Sequence, residues 1–161
     1  MDSDGYLSQL ADIFNGITVN TPSISAIIAI VLAGVLLLAS GFASASEIAF
    51  FSLSPSDRND IDERNHPSDD KISALLGDTE RLLATILITN NFVNVTIIML
   101  CNFFFMNVFV FHSPLAEFLI LTVILTFLLL LFGEIMPKIY SAQKTLAFCR
   151  FSAPGIYFLE K

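Results

Sequence analysis

The sequence predicts an all-α membrane protein. Three transmembrane helices are joined by short cytosolic helices and followed by a juxtamembrane amphipathic helix. Two observations carry this. The 161 residues are 55% hydrophobic and only 14% charged, with a mean hydropathy of +0.74, which leaves a soluble domain too little polar surface to cover a core. The charges are also segregated: none lies between Asp12 and Glu47, between Arg81 and Glu117, or between Glu117 and Glu134. Crossing a hydrocarbon core of about 30 Å takes about 20 apolar residues. Ile24 to Ser46, Leu82 to about Phe111, and Leu115 to about Ile135 meet that requirement.

The first span follows residues 1–23, an extracytoplasmic segment that carries Asp2, Asp4 and Asp12 and no Lys or Arg. A signal peptide has a short, positively charged start and a shorter apolar run. The stretch Ala43-Ser44-Ala45 therefore reads as small residues that let helices approach closely, rather than as a cleavage site. Between spans 1 and 2, residues 54–81 are organised. Ser54-Pro55-Ser56-Asp57 marks a helix start, with Pro in the first turn and an acid three residues after the cap. That helix ends before His66-Pro67. A second begins at Ser68, carries Ile72, Leu75 and Leu76, and stops at Gly77. Asp78 or Thr79 caps span 2. Its outer end is rich in phenylalanine (Phe103, Phe104, Phe105, Phe109, Phe111), which bulky packing explains, and a turn at His112-Ser113-Pro114 leads to span 3. Residues 138–161 mix aromatic and aliphatic positions with Lys144 and Arg150, and read as an interfacial amphipathic helix kinked at Pro154-Gly155.

Orientation follows from the basic residues. Arg58, Arg64, Lys71 and Arg81 lie between spans 1 and 2, and Lys138, Lys144, Arg150 and Lys161 follow span 3. Cytoplasmic loops carry the excess of Lys and Arg. The N-terminus is expected outside, residues 54–81 and the C-terminus inside, in a multi-pass protein of the inner (cytoplasmic) membrane. The bilayer is then the first partner. The net charge of −7 resides mainly in the hydrophilic segments, and nucleic acid is not an expected partner. Cys101 and Cys149 have no metal-ligand spacing and read as small apolar fillers.

Polar groups at membrane depth are costly, so they are candidates for function. Glu134 follows an unbroken apolar run, with Gly133 between, and Pro137 three residues further on should loosen the carbonyl ladder of the preceding turn, Gly133 included. Span 2 holds Asn90, Asn91 and Asn94, of which Asn90 and Asn94 share a helix face. Ser40, Ser44 and Glu47 form a stripe on span 1. Membrane Asn is often only inter-helical glue, and Ser40 or Thr122 taken alone reads as a side chain bonded back to its own helix. Glu134 with three Asn and a Pro-broken helix reads otherwise. Carboxylate, amide, hydroxyl and freed backbone carbonyls are hard oxygen ligands that suit Mg²⁺ or Ca²⁺ rather than zinc or copper. An enzyme is not expected: an intramembrane protease has serines available here, but no membrane-embedded His or paired Asp to activate one.

The stretches FASASEIAFFSL, DTERLLATILITNNFVN and FGEIMPK occur in this order. Together they closely resemble the transmembrane domain of the CNNM/CorC family of magnesium transporters, over about Ile24 to Lys161. The resemblance implies a three-span domain with a juxtamembrane helix, working as a homodimer that exports Mg²⁺ in exchange for Na⁺. By motif, Ser44, Asn90, Asn94 and Glu134 fall on the family's ion-site positions, with Asn91 and the carbonyl of Gly133 in second rank. Family members normally continue into a pair of cytosolic CBS modules that bind ATP. This chain ends at Lys161, before them, so any contact with ATP would be made through modules outside it. Gliding-motility accessory proteins resemble the same family, so a non-transporting anchor or sensor is the alternative expectation. The sequence leaves Glu47 between two roles, an ion-site oxygen or a structural partner of Lys138.

Overall fold

A computed structural model describes Ser8 and residues 18–110 and 114–160. The expected turn at His112-Ser113 and most of the N-terminal segment lie outside the described residues. Helix α1 (Ile24–Phe51) is followed by two short helices, α2 (Pro55–Asp62) and α3 (Asp69–Leu76), and by the long helix α4 (Thr79–Val108). The third long helix runs as α5 (Pro114–Leu128), a π-helical segment (Leu129–Ile135) and α6 (Met136–Gln143), and α7 (Thr145–Glu160) closes the chain. Three helices are long and apolar enough to cross a membrane, Ile24–Phe51, Thr79–Val108 and Glu117–Gln143.

Local sequence explains most of the boundaries. Ser23 caps α1 by accepting from the Ala26 N–H at 3.2 Å, and Asp78, rather than Thr79, caps α4 by accepting from the Arg81 N–H at 3.1 Å. Helix α1 continues past Ser46 to Phe51. At about 1.5 Å per residue its 28 residues outrun the hydrocarbon core, and Ala49 and Phe50 are buried in the cluster beneath the short helices. Helix α4 stops at Val108, short of the expected Phe111. Phe109–Val110 (β2) instead turns extended and pairs antiparallel with Thr18–Val19 (β1), and the Asn20 N–H donates to the Val108 carbonyl at 2.7 Å. Ser54 and Asp57 form the reciprocal capping box of α2, with Pro55 in its first turn. After α2 the chain reverses through Arg64, which takes a left-handed φ of 54°.

The third span carries the expected loosening upstream of Pro137. That ring supplies no N–H to the carbonyl four residues back, Gly133, and the preceding turns widen into the π-helical segment. The Met136 N–H bonds the Leu131 carbonyl, five residues back. The helix then runs through Pro137 to Gln143 and breaks at Lys144, whose backbone is non-helical (φ −135°, ψ 52°). The Pro154-Gly155 pair, expected to kink the juxtamembrane helix, lies within one continuous helix. Pro154 lies inside α7, where burial of its neighbours Ala153 and Ile156 holds the helix through the missing hydrogen bond.

Beneath the spans, one cluster of buried residues joins α1, α2, α3, α4 and α7 through Phe50, Ile61, Ile72, Leu82, Cys149 and Ile156. Cys149 has no exposed surface, and burial pushes its thiol up to about 12, so it remains a protonated filler. A fork of two hydrogen bonds ties α3 to α7: Arg150 Nε donates to Asp69 Oδ1 at 2.8 Å and Nη2 to Oδ2 at 3.0 Å. Arg81 adds a second tie by donating from Nη2 to the Glu160 carbonyl at 2.8 Å.

Candidate ion-binding site

The C-terminal half of α1 is built of small residues. Ser40, Gly41, Ala43, Ser44, Ala45 and Ser46 are all buried, and this lets α4 and the third span approach closely. A Cβ on Gly41 would stand 3.0 Å from Pro137 Cγ. A Cβ on Gly133 would stand 3.1 Å from Ser40 Oγ. Glycine at 133 therefore brings the π-helical backbone against the Ser40 hydroxyl, with no side chain between.

Ser40 is the centre of the polar cluster. Its hydroxyl lies 2.8 Å from Asn90 Oδ1 and 2.6 Å from Asn94 Oδ1. One proton is thus shared between two amide oxygens that the i, i+4 spacing has placed on one face of α4. Three oxygens from two helices converge beside the backbone of Gly133. Ser40 does not play the self-bonding part that the sequence suggested for it. Ser46 does, donating to the Phe42 carbonyl at 2.7 Å.

Ser44 lies one turn along from Ser40, with 0% exposure. Its Oγ is a buried side-chain atom without a hydrogen-bond partner among the described residues. Leaving such a group unsatisfied costs about 1–3 kcal/mol. A buried hydroxyl in this condition is available to a ligand or a water. We expect Ser44→Ala to leave the melting temperature of the purified domain unchanged or raised, and to weaken cation binding measured by titration calorimetry on the same sample.

Glu134 is half-buried. Its neighbour Phe132 lines an apolar cleft with Leu37, Leu38, Gly41 and Phe42. Glu134 is not among the residues that line this cleft. Among the described residues, the hydrogen bonds of the Ser40 cluster do not include the Glu134 carboxylate. Asn91 is exposed and stands apart from the cluster. Glu47 pairs with Lys138, Oε2 to Nζ 3.1 Å, across the C-terminal ends of spans 1 and 3. Ser141 locks the same ends by donating to the Ala45 carbonyl at 2.6 Å.

No group of three His, Cys, Asp or Glu that could hold a metal occurs among the described residues. The converging groups are neutral oxygens, a set that favours a hard cation over zinc or copper. A family model described as the Cyclin M transmembrane N-terminal domain matches residues 27–161. The chain belongs to that family. The match takes in all three spans, the short helices between them and α7 up to the chain end. No curated protein matches the chain. Within this Cyclin M domain, sequence reasoning had underrated Ser40. The i, i+4 relation of Ser40 to Ser44, on the same stripe, was the available signal.

Proposed function

We propose that this domain carries Mg²⁺ across the membrane as a homodimer, exporting it in exchange for Na⁺, with the N-terminus outside and the C-terminus in the cytoplasm. The observation that carries the reading is the buried, partnerless Ser44 hydroxyl beside the Ser40–Asn90–Asn94 oxygens. They lie against a third span whose helix is widened upstream of Pro137. Mg²⁺ gives up water reluctantly and demands near-octahedral order, so oxygens must replace its hydration shell together. The Asn90 and Asn94 amides accept from Ser40 in this state. Turning the Ser40 hydroxyl aside frees both amide oxygens for an ion. Ser44 supplies a hydroxyl, the backbone at Gly133 a carbonyl, and Glu134 the negative charge. Irregular backbone at membrane depth is tolerated where it lines such a cavity.

A second reading has its own support. The Ser40 cluster satisfies its hydrogen bonds internally, which would also suit a non-transporting anchor or sensor domain whose polar groups only join the helices. Purified domain in liposomes separates the two. The transport reading expects Mg²⁺ flux that rises with an opposing Na⁺ gradient, and no flux above empty liposomes sinks it. Cross-linking in the same liposomes reports the dimer, and cysteines placed near Ser3 and Asn65 report which side each faces.

A further inference from the structure

A second polar site lies in the other half of the bundle, at the end that carries β1 and β2. A cavity of about 330 Å³ separates α4 from α5, and its lining includes Asn102, Glu117, Thr122 and Thr126 beside Ile98 and Leu125. Thr126 stands 12 residues into α5, about 18 Å along the axis from Pro114, and Asn102 is about 9 Å from the end of α4. Both are at membrane depth and exposed. Thr96, on α4, hides its hydroxyl by donating to the Phe92 carbonyl at 2.8 Å. No such bond is formed by the side chains of Thr122, Thr126 or Asn102 among the described residues. Hydrocarbon does not solvate polar groups left in this way, and water does.

Along α4 the cavity lies further towards the β1–β2 end than the Ser40 cluster: Asn94 to Asn102 is a rise of about 12 Å, and the row Asn90, Asn94, Ile98, Asn102 turns about 40° around the helix at each step. Helix α4 runs towards the β1–β2 end and α5 runs away from it. The deepest lining residues are therefore Ile98 on one helix and Leu125 and Thr126 on the other. Leu125 also belongs to a buried apolar cluster with Val93, Ile97 and Cys101 of α4 and Ala33 of α1, of which Val93 and Ile97 stand between the levels of Asn90 and Ile98 on α4. A polar chamber, an apolar plug and a polar cluster succeed one another along the bundle.

We propose that this cavity is a water-filled vestibule for hydrated cations, with Glu117 at its mouth setting the sign of the charge admitted and Ile98 and Leu125 closing it from the Ser40 cluster. Its place on an ion path rests on the transport reading. Its hydration and charge preference do not depend on transport.

Thiol labelling in proteoliposomes tests it. Cysteines are placed at Thr122 and Thr126, and at the exposed positions Val123 and Phe127 as controls, with Cys101 and Cys149 replaced by Ala. Water-soluble methanethiosulfonates of opposite charge serve as probes. Thr122→Cys and Thr126→Cys should react, the cationic reagent about tenfold faster than the anionic one, because a carboxylate in a low-dielectric mouth concentrates cations. Mg²⁺ should slow the cationic reagent. Glu117→Gln should bring the two rates together. If that variant fails to reach the membrane, the Mg²⁺ protection of Thr126→Cys decides. Labelling at 122 and 126 no faster than at 123 and 127, or equal rates for both reagents in the parent, overturns the proposal while leaving Mg²⁺ flux to be judged separately. Charge-selective labelling in a domain that carries no flux keeps the vestibule and removes the transporter.

Discussion

Glu134→Gln is expected to abolish measurable Mg²⁺ binding and flux while leaving a folded protein. The other groups proposed for the site, Ser44, Asn90, Asn94 and the Gly133 carbonyl, are neutral. A divalent cation in a low-dielectric site needs at least one anionic partner. Glu47 does not substitute, because its carboxylate is engaged by Lys138. Gln keeps the size and one carbonyl oxygen and removes the charge, so the change isolates electrostatics from packing. Asn94→Ala should weaken binding less, since it deletes one neutral ligand that water can replace, although it also frees the Ser40 hydroxyl from its 2.6 Å partner. Titration calorimetry on the purified domain checks both. If Glu134→Gln binds Mg²⁺ as tightly as the parent, the site is elsewhere, and the assignments of Ser44, Asn90 and Asn94 fall with it.

What the sequence shows and what it hides divide along physical lines. The spans are legible because long uncharged runs have one stable fate in a bilayer, and the starts of α2 and α4 are legible because Ser54, Asp57 and Asp78 cap through their own neighbours. The widened turn was legible too, since Pro137 acts on a carbonyl four residues away whatever surrounds it. Ser40 was misjudged because its partners, Asn90 and Asn94, are 50 and 54 residues distant, and only the register of α1 against α4 makes them neighbours. The β1–β2 ribbon has two residues a side, too few for any alternation to register. The helix break at Lys144 carries no Pro or Gly to announce it, so the sequence does not show it. The same limit applies to Ser44: a sequence can show that a serine sits among small residues, but not that its hydroxyl has been left without a partner.

The largest stability effect expected outside the membrane comes from Asp69→Ala. Asp69 has no exposed surface, receives the forked pair of bonds from Arg150, and accepts from the His66 N–H at 2.9 Å. Breaking a buried pair by deleting one partner typically costs about 3–5 kcal/mol, because the other charge stays behind without compensation. Arg150 keeps some access to water, with 23% of its side chain exposed, so the lower end, about 3 kcal/mol, is expected here. The Arg64–Asp70 pair, exposed on both sides, should contribute little by comparison. Hydrogen bonding to Arg150 holds the Asp69 carboxyl below its ordinary value of 3.8, against the opposing effect of burial. A carboxyl lowered on folding stabilises the fold at every pH above its unfolded value, and that stability is lost as pH falls through the folded value. The Asp69 contribution should therefore be complete near neutrality and disappear only below about pH 3.8. Thermal unfolding of the parent and of Asp69→Ala, followed from neutral to acid pH, should give curves far apart at pH 7 that converge in acid. A gap that persisted unchanged to the most acid samples would show that Asp69 acts by filling space and not by its charge, and α3 would then be held to α7 by the apolar cluster between them, with Arg81 and Glu160 joining only α4 to α7.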